Sequence, residues 1–287
     1  MKKGIYWLLT VALMVPAAVS CKHSPKTPRP AEPDRLVVMS YNVRNSKADD
    51  GDNAWEIRRS ATAAMLDSVR PDIFGVQEAY PDQEAYITEQ CPRYSAFGVG
   101  RDDGRDAGER MTVFYDHEKL EMAAGGTWWL SETPDEPSVG WDAKYPRTAT
   151  WVLMKDLRCG GREFYLVNTH LDHRGIQAQR NGLAMVMEKI HAMNPDTPLV
   201  LMGDFNVEPG DPTLTDVDSL MVSARVSASV TEDTPSFNGY DQSRHKVIDY
   251  IYYSGFAGAD SFRVVTESYD GKPYISDHYP IVSTLRY

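Results

Sequence analysis

The sequence predicts a mixed α/β or α+β layered domain from about residue 35 onward. Short apolar runs rich in β-branched and aromatic residues, typical of strands, outnumber helical segments by roughly two or three to one. Several runs follow one another with no helical segment between them. A strictly alternating parallel sheet therefore does not fit, and a layered domain with mixed sheets does.

The predicted strands are short apolar segments, several of which end in a polar side chain. They comprise residues 36–42, 73–78, 110–116, 148–156, 163–171, 198–206, 247–254, 261–268 and 279–287. Two helices are predicted from apolar residues at helical spacing. The first starts with Asn53 as its N-cap and ends at Pro71, and the second spans about 175–193.

The N-terminal segment has the layout of an export signal. Lys2 and Lys3 precede an apolar stretch that is too short and wrongly flanked for a membrane-spanning helix. Residues 18–21, Ala-Val-Ser-Cys, resemble a bacterial lipobox, in which the cysteine carries the lipid. We therefore predict a lipoprotein signal peptide over residues 1–20, with a plain secretory signal cut near Ala18 as the alternative.

The next segment, residues 21–34, contains four prolines and predicts an extended tether. A lipid anchor at Cys21 followed by this tether would hold a globular domain off a membrane, in the periplasm or at the cell surface. Residues 35–287 contain no second linker and no internal repeat. We expect them to form one catalytic domain that acts as a monomer.

The charge of the chain restricts its partners. The net charge is −11, whereas proteins that wrap long nucleic acid usually present a basic surface to the phosphates. Long nucleic acid is therefore the less favoured substrate. A small phosphate ester in a locally basic pocket stays possible.

Polar side chains mark six of the predicted strand ends. They are Asn42, Glu78, His170, Asp204 with Asn206, Asp249, and Asp277 with His278. Most of them alone would be typical of a cap or turn. Asp249 is different, because it interrupts an apolar run that should be buried, and a buried carboxylate needs a partner such as histidine.

Strands of one sheet can gather such ends at one edge. Several carboxylates in one cleft repel each other unless a cation offsets their charge, and oxygen ligands suit Mg²⁺. His170 and His278 supply groups that phosphoester hydrolysis needs for water activation and charge stabilisation. Zinc is the competing metal, but no HExxH or similar spacing occurs in the sequence.

Six segments resemble the motifs of the endonuclease/exonuclease/phosphatase superfamily. They are SYNVR, VQE, NTHLDH, GDFN, IDYI and SDHYPI, in this order and spacing. The resemblance spans about residues 36–287. It implies a four-layer sandwich, in which two mixed β-sheets pack face to face with helices outside, and a divalent-metal-dependent hydrolase of phosphate esters.

The resemblance also implies roles for the metal-binding and basic groups. Glu78 resembles the principal ligand of Mg²⁺ or Mn²⁺, with Asn42 beside it and Asp277 as a further metal or water ligand. His278 resembles the general base or the phosphate-polarising group, and Asp249 the residue that orients it.

Three further roles complete the implied set. Asp204 would position the nucleophilic water or act as acid and base, Asn206 would hold a phosphoryl oxygen, and His170 would stabilise the pentavalent state and the leaving group. Gly203 would keep the backbone open where metal, water and phosphate meet. The chemistry is in-line attack on phosphorus while a cation draws off charge.

Substrate contacts are predicted mainly from a long loop. Residues 131–147 are rich in proline and acidic residues and predict an ordered loop beside the cleft. Trp141 would offer a stacking face and Arg147 would meet a phosphate, with a loop-anchoring role as the alternative for both. Outside the loop we assign Arg110 to phosphate contact.

Two residues beyond the predicted strand 163–171 are also candidates for the cleft. Asp172 directly follows that strand, and Arg180 lies on the helix that comes next. A solvated helix face is the alternative for such charged positions.

The leading function is therefore a phosphodiesterase or phosphomonoesterase that acts on a small or lipid-derived phosphate ester outside the cytoplasm. A secreted nuclease of the same mechanism is the first alternative, disfavoured by the acidic charge and the lack of a basic stripe with interleaved aromatics. A non-catalytic phosphate- or lipid-binding lipoprotein is less favoured, because Glu78, Asp249 and His278 are all present.

Overall fold

The computed structural model describes residues 34–241, 243 and 245–287. The predicted signal peptide (1–20), the predicted lipid-attachment residue Cys21 and almost all of the predicted tether (21–34) lie outside the described residues. In the part of the chain that is described, no helix has both the length and the apolar character needed to cross a membrane.

Within the described residues, strands predominate over helices. The strands are β1 (Arg35–Asn42), β2 (Ile73–Gln77), β3 (Tyr94–Phe97), β4 (Val113–Asp116), β5 (Leu120–Trp129), β6 (Thr148–Asp156), β7 (Arg162–His170), β8 (Leu199–Asp204), β9 (Val222–Ser223), β10 (Asp249–Ser254), β11 (Gly258–Val264) and β12 (Ile281–Arg286). The helices are α1 (Trp55–Val69), α2 (Pro81–Gln90), α3 (Ile176–His191), α4 (Thr215–Leu220) and α5 (Ala224–Ser227).

The strands form two six-stranded sheets. Their orders are β11-β12-β1-β2-β4-β3 and β5-β6-β7-β8-β10-β9. In the first sheet β1 and β2 are parallel, in the second β7 and β8 are parallel, and the other neighbours are antiparallel. Both sheets are therefore mixed, which agrees with the runs of strand after strand in the sequence.

Alternate side chains of β1 pack into two different apolar clusters. Leu36 and Val38 join an apolar cluster between the two sheets, which includes Val152 of β6. Met39 and Tyr41 pack on the other face, in a cluster shared with α1 and α2. A third cluster packs α3 and α4 on the second sheet. Because both faces of β1 are covered, six of its eight residues are buried, and the run from Leu36 to Met39 is continuously apolar.

These clusters confirm the predicted four-layer sandwich of two mixed β-sheets flanked by helices. Both predicted helices are present, but the N-cap of α1 is Ala54 and no side chain caps it, so the prediction of Asn53 was wrong. Helix α2 was not predicted, because it buries only Gln83 and Ile87 and its apolar periodicity is weak. Pro81 at its first turn was the available signal.

The topology gathers the polar strand ends at one edge of the sandwich. Helix α1 connects the parallel strands β1 and β2, and α3 connects β7 and β8, so in each pair the carboxyl ends lie side by side. Strand β10 runs antiparallel to β8 and places Asp249 opposite Asp204. Likewise β12 runs antiparallel to β1, so His278 precedes β12 near the end of β1.

A buried amide pair joins the two sheets just below this edge. Gln77 Nε2 donates to Asn168 Oδ1 at 2.7 Å, and Asn168 Nδ2 donates to the carbonyl of Val76 at 2.8 Å. Gly75 leaves the space for it, because a Cβ at that position would lie 2.4 Å from Asn168 Cγ. Gln77 lies one residue before Glu78 in the first sheet, and Asn168 lies two residues before His170 in the second.

Candidate active site

Asp204 lies at the centre of the gathered polar side chains. Its Oδ2 accepts a hydrogen bond from Asn42 Nδ2 at 3.0 Å. The same oxygen lies 3.5 Å from His170 Nε2 and 3.7 Å from His278 Nε2. Burial raises the pKa of Asp204 to about 7, and the nearby Asp249 carboxylate adds to this rise. Residues of both sheets thus meet at one carboxylate that can exchange a proton near neutral pH.

Asp249 and His278 form a buried hydrogen-bonded pair. His278 Nδ1 lies 2.9 Å from Asp249 Oδ2. Burial would lower the pKa of His278, but the carboxylates of Asp249 and Asp204 raise it well above its usual value. The ring is therefore an imidazolium that donates to Asp249 through Nδ1. This state is better suited to polarising a phosphoryl oxygen than to accepting a proton.

Glu78 follows β2 with a left-handed backbone, φ 63°. Its carboxylate accepts hydrogen bonds from Asn42 Nδ2 at 3.1 Å and from Asn45 Nδ2 at 3.0 Å. Burial would raise the pKa of Glu78, but His170 and the two amide donors lower it to about 2. Since His170 is itself neutral, as described below, the two amides and the positive charge of His278 are the effective causes. Glu78 is therefore ionised and held in one orientation.

Asn42 contacts the carboxylates through its nitrogen. Its Nδ2 donates to Glu78 and to Asp204, whereas its Oδ1 accepts from the backbone N–H of Arg44 at 2.9 Å. In this orientation Asn42 holds two carboxylates in place, and its oxygen is directed away from them. Asn42 thus lies beside Glu78, and its role at the metal stays a prediction.

Asp277 lies beside the group on the side of the first sheet. Its Oδ2 is 3.7 Å from Arg44 Nη1, and its Oδ1 accepts from Ser276 Oγ at 3.3 Å. Burial raises the pKa of Asp277, and the Glu78 carboxylate adds to the rise, while His278 and Arg44 oppose it. Two carboxylates, Glu78 and Asp277, thus line the cleft from this sheet.

This oxygen-rich donor set fits a divalent cation. Asp204, Asp249 and Asp277 are buried, and Glu78 is half-buried. Asp204, Asp249 and His278 offer ligand atoms within 4.8 Å of one another, so they could hold a metal ion that displaces a proton of His278. Carboxylate oxygens are the ligands that Mg²⁺ and other hard cations prefer. A divalent ion would also offset the repulsion among these carboxylates.

His170 approaches Asp204 from the end of β7. Its Nδ1 is buried and has no hydrogen-bond partner among the described residues. Burial lowers the pKa of His170 well below its usual value, and the positive charge of Arg147 lowers it further. His170 is therefore a neutral imidazole with one ring nitrogen that no other described side chain uses.

The GDFN segment turns sharply at the end of β8. Gly203 has φ 147°, and a Cβ there would lie 1.8 Å from the carbonyl oxygen of Thr169. The glycine is therefore required by the close approach of β7, not by a ligand as we expected. Asn206 also has a positive φ, 54°. Its Nδ2 donates to the carbonyl of Leu171 at 3.1 Å, and the residue lines the cleft.

The cleft extends from these residues to a second group of polar and aromatic side chains. Its volume is about 600 Å³, within the range of small-molecule sites. Ten of its lining residues had no role in the prediction: Arg44, Asn45, Tyr80, Arg101, Glu109, Tyr145, His173, Phe237, Lys246 and Ile248. The signal for two of them was the charged, glycine-rich segment at residues 100–110, next to a predicted strand.

Arg147 lies at the cleft, as predicted, and Asp172 holds it there. Arg147 Nε donates to Asp172 Oδ2 at 3.3 Å, and its Nη2 donates to His173 Nδ1 at 3.0 Å. Asp172 also accepts from the backbone N–H groups of Arg174 and Gly175. Asp172 does not itself line the cleft, so the structure places it behind Arg147 and not in contact with the substrate volume.

The comparison with known proteins agrees with this geometry. The sequence matches the model of the endonuclease/exonuclease/phosphatase family over residues 39–278. The chain belongs to this family. Members of the family are phosphoester hydrolases, and the matched residues 39–278 include all of the polar strand ends of the site.

Solved structures of the family resemble this member over most of its length. A family protein from Bacteroides thetaiotaomicron is 34% identical with a TM-score of 0.82, and the match covers 88% of this chain and 97% of that one. A mannosyl-6-phosphatase from Bacteroides thetaiotaomicron VPI-5482 is 32% identical with a TM-score of 0.82, covering 88% and 100%. A family protein from Bacteroides vulgatus is 31% identical with a TM-score of 0.83, covering 88% and 98%.

The long loop of this family member borders the cleft, but through other residues than predicted. No helix or strand occurs over residues 130–147. Tyr145 and Arg147 line the cleft, whereas Trp141 packs against the apolar cluster under α3, together with Trp128 and Trp151. The anchoring alternative therefore describes Trp141, because the loop turns its ring toward the core.

Arg110 and Arg180 also lie away from the cleft. Arg110 Nη1 donates to Glu84 at 3.1 Å, and Arg110 Nη2 donates to Asp106 at 2.6 Å. The backbone of Arg110 pairs with Ala79 and Gly100 in an extended conformation. Adjacent side chains of an extended chain project to opposite sides, so Glu109 lines the cleft and Arg110 lies away from it. Arg180 is exposed on α3 and lines a separate crevice with Pro212.

Proposed function

We propose that this protein is a divalent-metal-dependent phosphomonoesterase that acts on a small phosphate ester outside the cytoplasm. The observation that carries the proposal is the Asp204 carboxylate, which lies within 3.7 Å of His170 and His278 and accepts from Asn42. These groups line one end of a cleft of about 600 Å³. The similarity to a mannosyl-6-phosphatase supports a sugar phosphate as the first substrate to test.

The proposed chemistry divides the groups between the two sheets. Mg²⁺ or Mn²⁺ held by Glu78 and Asp277 would supply Lewis acidity at a phosphoryl oxygen. Asp204, with a pKa of about 7, would orient the attacking water and accept its proton. His278 would donate a hydrogen bond to the phosphoryl group, with Asp249 keeping its Nδ1 proton in place.

The remaining groups would act on the other side of the phosphorus. His170 is neutral and one of its nitrogens is unpaired among the described residues, so it could donate to the departing oxygen. Asn206 lines the cleft beside Asp204 and would hold a phosphoryl oxygen. The arginine Arg147, fixed by Asp172, would contribute positive charge at the cleft.

Cleft size and charge favour a small ester over a polynucleotide. The cleft has the volume of a small-molecule site, and Arg44, Arg147 and Lys246 place cationic side chains in it. The chain as a whole carries a net charge of −11, which disfavours long nucleic acid. A secreted nuclease is therefore the weaker candidate.

The proposed location depends on the N-terminal sequence. Residues 1–20 have the layout of a lipoprotein signal peptide, and Cys21 would carry the lipid that anchors the protein to a membrane. The tether would then place the catalytic domain in the periplasm or at the cell surface. Radiolabelled palmitate incorporation into the full chain, compared with a Cys21→Ser variant, tests this part of the proposal.

A substrate panel tests the proposed activity. With Mg²⁺ present, phosphate release is measured from mannose 6-phosphate and phenyl phosphate, and release of the alcohol or of the shortened product is measured from a bis-aryl phosphodiester, a glycerophospholipid and single-stranded DNA. We expect the monoesters to be hydrolysed with the highest kcat/KM and excess chelator to stop the reaction. Faster cleavage of the diester or of DNA, or full activity in chelator, would contradict the proposal.

A further inference from the structure

A buried ion pair lines the cleft beside the group around Asp204. Arg101 Nη1 donates to Glu109 Oε2 at 2.5 Å. The two side chains are 8% and 11% exposed, yet both border the cleft. Neither side chain hydrogen-bonds to Asp204, His170 or His278 among the described residues. The pair is therefore part of the substrate volume but not of the groups that act on phosphorus.

The chain segment that carries this pair is held rigidly. The backbone N–H of Arg101 donates to the carbonyl of Glu109 at 3.0 Å, and Asp102 N–H donates to Ala107 at 3.0 Å. Trp129 Nε1 donates to the carbonyl of Arg101 at 2.7 Å, which ties the segment to the second sheet. A pair fixed from both sides is preorganised for binding, because little conformational entropy is lost when a ligand arrives.

The pair leaves hydrogen-bonding capacity unused on its cleft side. Glu109 Oε2 accepts from Arg101, whereas Oε1 accepts no hydrogen bond among the described residues. Arg101 Nε is buried without a hydrogen-bond partner there, with Asp102 at 3.8 Å. Buried polar atoms are nearly always paired in folded proteins. Glu109 Oε1 therefore offers a ligand in the cleft a carboxylate acceptor beside the guanidinium of Arg101, whereas Arg101 Nε is too buried for a ligand to reach.

The chemistry of the pair selects among ligands. A carboxylate beside a guanidinium is close to neutral overall, so it attracts neither a phosphate nor a cation strongly. Hydroxyl groups match it, since each can donate to Glu109 and accept from Arg101. Tyr145 lies next to the pair, with Arg101 Cζ 5.4 Å from its ring centre, and its exposed face can cover the apolar side of a sugar ring.

We infer that Arg101 and Glu109 bind the hydroxyl groups of the leaving group, so that the enzyme prefers phosphate esters of polyhydroxylated alcohols such as hexoses. The inference rests on the proposed phosphomonoesterase function and extends it to the recognition of the alcohol. Glu109 and Arg101 are specificity residues in this account. They contribute to the binding of the sugar and not to the attack on phosphorus.

A Glu109→Gln variant tests the inference on two esters. Mannose 6-phosphate carries hydroxyl groups and phenyl phosphate carries none. We expect the variant to lose at least ~10-fold in kcat/KM on mannose 6-phosphate, mainly through KM, since a hydrogen bond to a charged group is lost. On phenyl phosphate we expect kcat/KM to stay within about 2-fold of the wild type.

Glu84→Gln is the matched control. Glu84 also pairs with an arginine, Arg110, at 3.1 Å, but neither residue lines the cleft. This variant should leave the ratio of the two kcat/KM values unchanged. Thermal unfolding of Glu109→Gln, followed by circular dichroism, checks that the variant folds.

Three results would contradict the inference. Equal losses on both esters in Glu109→Gln would mean that the pair has only a structural role. An unchanged kcat/KM of Glu109→Gln on mannose 6-phosphate would mean that the pair does not bind the hydroxyl groups, while the proposed phosphomonoesterase activity would stand. Release of phosphate from neither ester by the wild type would overturn the proposed function and this inference with it.

Discussion

His278 Nδ1 and Asp249 Oδ2 lie 2.9 Å apart and connect the two sheets of the sandwich. Asp249 begins β10 in the second sheet, and His278 leads into β12 in the first. The catalytic histidine of the proposed mechanism is therefore oriented by a residue from the opposite sheet. Any shift between the sheets would change the direction of its Nε2, which faces Asp204.

Replacement of Asp249 by Asn should uncouple this pair while keeping its shape. We expect kcat to fall by at least ~10², because the orientation and charge of His278 are lost. The pKa of His278 should also fall, since the Asp249 carboxylate is a main cause of its elevation. Both effects can be measured, by phosphate release and by NMR titration of the ring in chelator-treated protein.

Asp218→Asn is a suitable control for this change. Asp218 accepts a hydrogen bond from the Tyr252 hydroxyl at 2.7 Å and does not line the cleft. This variant should keep wild-type kcat. A near-wild-type kcat in Asp249→Asn would remove the pair from the mechanism.

Glu78 should control the affinity for the divalent ion. It is ionised, with a pKa of about 2, and Asn42 and Asn45 hold it in place. We expect Glu78→Gln to raise the Mg²⁺ concentration for half-maximal activity by at least ~10-fold, because a charged ligand is lost. The activity is measured as a function of Mg²⁺, with Glu84→Gln as the control. An unchanged Mg²⁺ dependence would exclude Glu78 as a ligand.

The strand ends of the site could be predicted because their signal is local in sequence. Each polar residue interrupts or ends an apolar run, and the order of the six segments matches the family. Asp249 is the clearest example, since its apolar neighbours already required a buried partner. His278, 29 residues away, provides it.

The second part of the cleft could not be predicted in this way. Glu109 and Arg101 reach it only because Trp129 ties their segment to the second sheet. Trp141 packs its ring against the apolar cluster under α3, and no pattern in residues 131–147 shows this direction. Loop side chains are placed by tertiary contacts, which spacing along the chain does not encode.

Trp141 should therefore contribute to stability and not to specificity. It is half-buried against the apolar cluster under α3. We expect Trp141→Ala to lower the free energy of unfolding by about 1–2 kcal/mol, less than for a fully buried tryptophan. The ratio of kcat/KM on mannose 6-phosphate and phenyl phosphate should not change. A changed ratio with unchanged stability, measured by urea unfolding, would restore Trp141 to the substrate site.

Asn168 should be needed for both stability and activity, although it lies below the cleft. Its side chain accepts from Gln77 and donates to the Val76 carbonyl, and all of these atoms are buried. Asn168→Ala would remove both hydrogen bonds and leave Gln77 Nε2 with Ser40 Oγ, 3.1 Å away, so we expect the free energy of unfolding to fall by about 2 kcal/mol. Because Gln77 precedes Glu78 and Asn168 precedes Thr169 and His170, kcat should fall while KM changes little. The exposed variant Asn181→Ala is the control, and wild-type stability and kcat in Asn168→Ala would show that the amide pair does not hold the two sheets in register.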